Sequence, residues 1–167
     1  MRILLLSQYF WPESFRINDL ALGLTELGHD VVVATGLPNY PSGRLFPGYS
    51  MLGPYRDRLE QIEVRRAPLV PRGKGGSFRL VVNYLSLAAS MSLLAPWQAR
   101  GDFDVMLVYE PSPVTIGIPA RIIRGFKGIP IVFWVQDLWP QSLSATGAVK
   151  SPAMLAIVDA LVRWIYR

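Results

Sequence analysis

The sequence has no cysteine and a single histidine, His29. The first absence excludes a disulfide framework and a thiolate metal site; the second excludes a polyhistidine metal site. A Ser-His-Asp hydrolase set would have to be built around His29, which follows Gly28 in a turn at the edge away from the strand ends where ligands collect. Charge is also scarce: 17% of residues are charged and 51% are hydrophobic. That balance excludes disorder and leaves more apolar surface than a free cytosolic domain needs. No G-x-G-x-x-G follows the first apolar run, so a dinucleotide site is not expected, and "GKGG" around Lys74 lacks the Lys-Ser/Thr and the strand-to-helix setting of a phosphate loop. "MRILLLSQYFWPES" has no small-residue cleavage site and reads as a first strand rather than a signal peptide. The net charge of +5 is spread along the chain, which argues against nucleic acid and for phosphorylated substrates or acidic lipid headgroups.

What is present has the length and rhythm of one α/β domain spanning residues 1–167. Arg2 to Leu6 is a compact apolar strand. A helix follows, with Ile17, Leu20, Ala21, Leu24 and Leu27 on one face and Gly28 ending it. Val31 to Thr35 is a second buried strand, so the opening is a right-handed strand-helix-strand crossover. Residues 36–60, rich in Gly, Pro, Tyr and Asn, form a loop long enough to imply function. "IEVRRAPLV" reads as a third strand, Phe103 to Glu110 as a fourth and "IPIVFWVQD" as a fifth, with a helix around Pro119 between the last two and another from Ser151 onward. Strands apolar on both faces alternating with helices predict an open, parallel, Rossmann-like sheet flanked by helices.

In such sheets ligands bind outside the carboxyl ends of the strands. Those ends carry "SQYFWPESFR", "TGLPNYPSGR", "YEPSP" and "QDLWPQS". Glu110 and Asp137 are thereby predicted on one rim, as candidates to hold a sugar hydroxyl or accept its proton. Gln136 and Trp139 stand beside Asp137, and Asn39, Tyr40 and Ser42 lie in the second loop as candidate substrate contacts, the aromatics suited to stacking on sugar rings. Ser14 is a candidate helix cap, with Arg16 next to it as an anion contact. For Asp137 a cap or turn role is an equal alternative, and for Glu110 a solvated rim acid.

At these loops the sequence resembles family 4 glycosyltransferases of the GT-B fold. "SQYFWPESFRINDLALGLTELGHDVVVATGLPNYPSGRLFPGY" and "VQDLWPQSLSATGAVK" resemble in particular the fucosaminyl/fucosyl transferase-like group of bacterial surface polysaccharide synthesis. The resemblance implies the N-terminal, acceptor-side half of a two-domain enzyme, with the C-terminal donor-binding domain absent. It implies transfer from a nucleotide-sugar donor to a saccharide or lipid-linked saccharide acceptor, without metal or other cofactor. Many members have paired glycines in the first loop, where this chain has "WPESFR", and a histidine near Gln136, which leaves Asp137 as the polar participant. A non-catalytic binding or scaffold domain that joins a separate donor-binding chain or a membrane surface is the alternative.

"FRLVVNYLSLAASMSLLAPW" (residues 78–97) predicts a helix with Arg79, Asn83, Ser86 and Ser90 on a narrow polar stripe and a broad apolar arc. Arg79, Asn83 and Pro96 leave too little clean apolar sequence for a span. The helix either packs across the sheet or lies in a membrane surface, with Arg65, Arg66, Arg72, Lys74 and Arg79 as partners for anionic headgroups. The expected location is cytoplasmic, peripheral at the inner face of the cell membrane.

Overall fold

The computed structural model describes all 167 residues. Its strands are β1 (Arg2–Ser7), β2 (Asp30–Gly36), β3 (Arg56–Leu59), β4 (Ile62–Ala67), β5 (Val105–Glu110) and β6 (Ile131–Val135). They form one sheet in the order β3-β4-β2-β1-β5-β6. All neighbours are parallel except β3 and β4. The sequence reading lacks β3. Its four residues, Arg-Asp-Arg-Leu, alternate between exposed and half-buried, so no apolar run marks a strand that exists only by pairing back on β4.

The helices are α1 (Arg16–Glu26), α2 (Ser77–Leu93), α3 (Ala95–Gln98), α4 (Gly117–Lys127), α5 (Gln141–Ala145) and α6 (Pro152–Tyr166). Alternation along the strands splits the core in two. Leu4, Leu6, Val32, Ala34 and Val108 face Leu87, Met91, Ala120 and Ile123 of α2 and α4. On the other face, Leu5, Val31, Val33 and Val64 receive Ile17 and Ala21 of α1. Leu27, expected on the inner face of α1, is 75% exposed, because the helix has ended at Glu26 and Gly28 turns the chain with φ +83°. Ser14 does not cap α1: Phe15 holds that position and no side chain bonds the free amides there. Asn18 ties the entry instead, accepting from Trp11 N at 3.0 Å and donating to Glu13 O at 2.7 Å.

Two arginines in β4 are inside the protein. Arg65 meets both oxygens of Glu63 at 3.0 and 3.1 Å and donates to Gln98 O and Arg100 O. Arg66, fully buried, donates to Asp57 at 2.9 Å, Trp11 O at 2.7 Å and Gly36 O at 3.2 Å. A buried guanidinium persists only when its donors are used, and these are. Neither arginine is available to a headgroup, which corrects that part of the sequence expectation.

Candidate functional site

The parallel register brings Ser7, Gly36, Ala67, Glu110 and Val135 to one edge of the sheet. Candidate residues leave that edge in two groups separated by the loop after β1. On the β5–β6 side, Gln136 N donates to Glu110 O at 2.9 Å, fixing the start of "QDLWP" against the end of β5. Gln136 is exposed, and its side-chain oxygen accepts from Tyr109 OH at 3.0 Å. Burial raises the Tyr109 phenol pKa, and the positive charge of Arg16, exposed in the first turn of α1, opposes that rise. Asp137 is half-buried; its Oδ2 accepts from Trp139 Nε1 at 2.9 Å. Trp139 thereby orients the carboxylate and leaves Oδ1 with capacity to accept a further hydrogen bond.

Glu110 is placed differently from Asp137. Its side chain is completely buried, Oε2 accepts from Tyr166 OH of α6 at 2.8 Å, and Oε1 has no partner. Burial pushes its pKa up to about 7; the Tyr166 bond opposes the shift and the Asp137 charge adds to it. Glu110 does not face the crevice as the sequence reading expected. Tyr166, from a helix 56 residues further on, covers it.

On the β2–β4 side, Asn39 is buried and ties the loops together. Its side chain donates to Leu37 O and accepts from Arg72 N. Tyr40 and Ser42 are exposed. The Tyr40 ring packs on Phe15 and Tyr9, at 5.2 and 5.7 Å between centroids, and Arg72 lies over it at 5.2 Å. Ser42 Oγ bonds the backbone of Arg44.

Sequence reasoning missed the residue that joins these loops. Glu13 is buried, and its carboxylate accepts from Asn39 N and Tyr40 N at 2.7 Å each and from Phe10 N at 3.3 Å. Burial raises its pKa to about 7, against those three amides and the charge of Arg66. Nothing local in "WPES" marks it, since its main partners lie 26 and 27 residues away. Arg66 did leave a signal, a charged pair inside an apolar strand.

An open, mostly parallel sheet flanked by helices, with polar groups on the carboxyl-end rim, defines a Rossmann-like domain. A family model described as a glycosyl transferase 4-like domain matches residues 14–167; the chain belongs to that family. Among solved structures, sucrose-phosphate synthase from Thermosynechococcus elongatus matches with a TM-score of 0.58 at 11% identity, over 96% of this chain and 39% of that one. The likeness is one of fold, that of the N-terminal Rossmann-like domain of a GT-B glycosyltransferase, and this chain spans 39% of that protein. No curated protein matches the sequence.

Proposed function

We propose that the chain is the acceptor-binding domain of a glycosyltransferase that moves a sugar from a nucleotide-sugar donor to a saccharide acceptor. The acceptor is lipid-linked, the setting is surface polysaccharide synthesis at the cytoplasmic face of the cell membrane, and the donor is held mainly by a second domain. One observation carries the reading beyond family membership: Asp137, half-buried on the carboxyl-end rim of the sheet, is oriented by Trp139 and preceded by the exposed Gln136. Transfer needs an acceptor hydroxyl held beside the anomeric carbon while the nucleoside diphosphate leaves, so positioning and charge stabilisation dominate. Asp137 supplies the hydrogen-bond acceptor for that hydroxyl, and Trp139 and Tyr40 supply faces for sugar rings. Glu110, its side chain sealed beneath Tyr166, contributes only its backbone carbonyl, which fixes the start of the Asp137 loop through Gln136 N.

The test is an NMR titration of the labelled chain with a saccharide diphosphate acceptor analogue and, separately, with nucleotide sugars. The acceptor analogue shifts the amides of residues 136–139, and Asp137→Asn weakens its binding. Micromolar binding of a nucleotide sugar at the same residues would refute the assignment of roles.

A further inference from the structure

We infer that the cleft between residues 40–44 and 71–79 binds the diphosphate group of a phosphorylated saccharide. The cleft lies beyond the carboxyl ends of β2 and β4, where Gly36 and Ala67 close the ladder, and it has two lobes. The larger, about 640 Å³, is lined by Arg44, Lys74 and Arg79. The smaller, about 260 Å³, is lined by Tyr40, Arg72 and Lys74. Ser42 and Lys74 belong to both, so the lobes are continuous.

Charge of a single sign is concentrated there. Arg2, Arg65, Arg66 and Arg163 are each held by a carboxylate, whereas Arg44, Arg72, Lys74 and Arg79 are in no ion pair. No acidic residue lines either lobe, and none occurs in residues 31–56 or 64–101, the two stretches that supply the walls. Cations gathered in a concave site repel one another, and the low-dielectric walls focus their field. A multiply charged anion relieves that repulsion. A diphosphate reaches both lobes at once with Lys74 between them, whereas orthophosphate serves only one. The walls are also fixed. Gly43 and Gly73, both at positive φ, approach backbone to backbone, Gly73 N donating to Gly43 O at 2.8 Å. A methyl group on Gly43 would overlap the Gly73 carbonyl, and one on Gly73 would overlap the Arg79 guanidinium. Arg72 N donates to Asn39 Oδ1 at 3.2 Å, and Asn39 N and Tyr40 N donate to the buried Glu13 carboxylate at 2.7 Å each. A tethered backbone thus presents free cationic side chains, which lowers the ordering cost of binding.

The saccharide end of the ligand follows from the smaller lobe. Tyr40 lines it and is 38% exposed. Its ring stands 5.2 Å from that of Phe15 between centroids, and Phe15 packs on the same core cluster as Tyr109, whose hydroxyl bonds Gln136. The rim therefore runs from the cleft past Tyr40 toward Gln136 and Asp137, and a sugar joined to the diphosphate extends along it. The inference deepens the proposed function and rests on it for one point, that the diphosphate belongs to the acceptor and not to the donor. Charge and shape carry the site itself.

The experiment is an NMR titration of the labelled chain with inorganic pyrophosphate, with a saccharide diphosphate carrying a short alkyl chain, and with uridine diphosphate. Pyrophosphate is expected to shift the amides of residues 42–44 and 72–79 and to bind more weakly as salt rises. Lys74→Gln with Arg79→Gln weakens it about tenfold or more. Arg58→Gln with Arg124→Gln removes the same net charge from exposed positions elsewhere and changes it by less than about twofold. The first pair melts with the wild type, because neither side chain has an ion-pair partner to lose. The saccharide diphosphate binds more tightly than pyrophosphate, and uridine diphosphate does not. Four outcomes overturn the inference: no cleft shifts with pyrophosphate; equal losses in the two charge pairs, which reduces the attraction to net charge; uridine diphosphate binding more tightly than the saccharide diphosphate, which gives the cleft to the donor; or sedimentation with phosphatidylglycerol vesicles by a chain that does not bind pyrophosphate. Pyrophosphate bound in the cleft while the saccharide diphosphate leaves residues 136–139 unshifted would sink the proposed function and leave the anion site standing. Shifts at 136–139 without any in the cleft would do the reverse.

Discussion

Glu110→Gln should flatten the pH dependence of stability. The wild-type carboxyl, fully buried under Tyr166, binds its proton up to about pH 7, whereas an ordinary glutamate releases it near 4.5. Between those values the folded chain holds more protons than the unfolded one, so stability falls as pH rises. It is greatest below the unfolded value and has lost this contribution above about pH 7. At about 1.4 kcal/mol per pH unit the interval corresponds to about 3 kcal/mol. Glu13, raised to about 7 by burial, adds a loss of the same sign over the same interval. Glutamine matches the shape of the protonated acid and still offers an oxygen to Tyr166 OH. Urea unfolding at about pH 5 should therefore find variant and wild type similar, and at about pH 8 the variant more stable, with roughly half the wild-type fall remaining through Glu13. Identical slopes in the two proteins would mean that the Glu110 carboxylate ionises as if solvated, and would refute its enclosure.

Arg66→Met should cost about 3–5 kcal/mol in urea unfolding, since it strips Asp57 of its cationic partner and the carbonyls of Trp11 and Gly36 of the guanidinium donor. Gly43→Ala should cost about 2 kcal/mol or more and speed hydrogen exchange at the Gly73 amide, whose bond to Gly43 O the new methyl displaces. Asp137→Asn should leave the melting temperature nearly unchanged, because Asn keeps an oxygen for Trp139 Nε1, while acceptor binding weakens; a large loss of stability would mark Asp137 as a turn-holding residue instead.

The parts of the fold legible in the sequence are those written in local periodicity: the apolar runs of β1, β2, β4, β5 and β6, and the inner faces of the helices. The rim followed from them, because parallel strands end together. The illegible parts depend on partners far along the chain. Glu110 reads as an open acid until Tyr166 covers it, Glu13 as a loop acid until Asn39 and Tyr40 bring their amides, and β3 as part of a loop until β4 pairs with it. The stripe of α2 shows the distinction most sharply. Its angle was readable from Arg79, Asn83, Ser86 and Ser90, but amphipathicity fixes only an axis, not which end of it faces the protein. What decides is the segment after β4, where Pro68 O and both backbone groups of Val70 lie beyond the sheet ladder and need partners. A buried peptide group left unpaired costs about as much as a lost hydrogen bond, so α2 turns its polar atoms toward them. Leu87, Ala88 and Met91 still reach the core from the same orientation, and the remaining apolar arc, with Phe78 and Leu85 at its centre, has no direction left but outward.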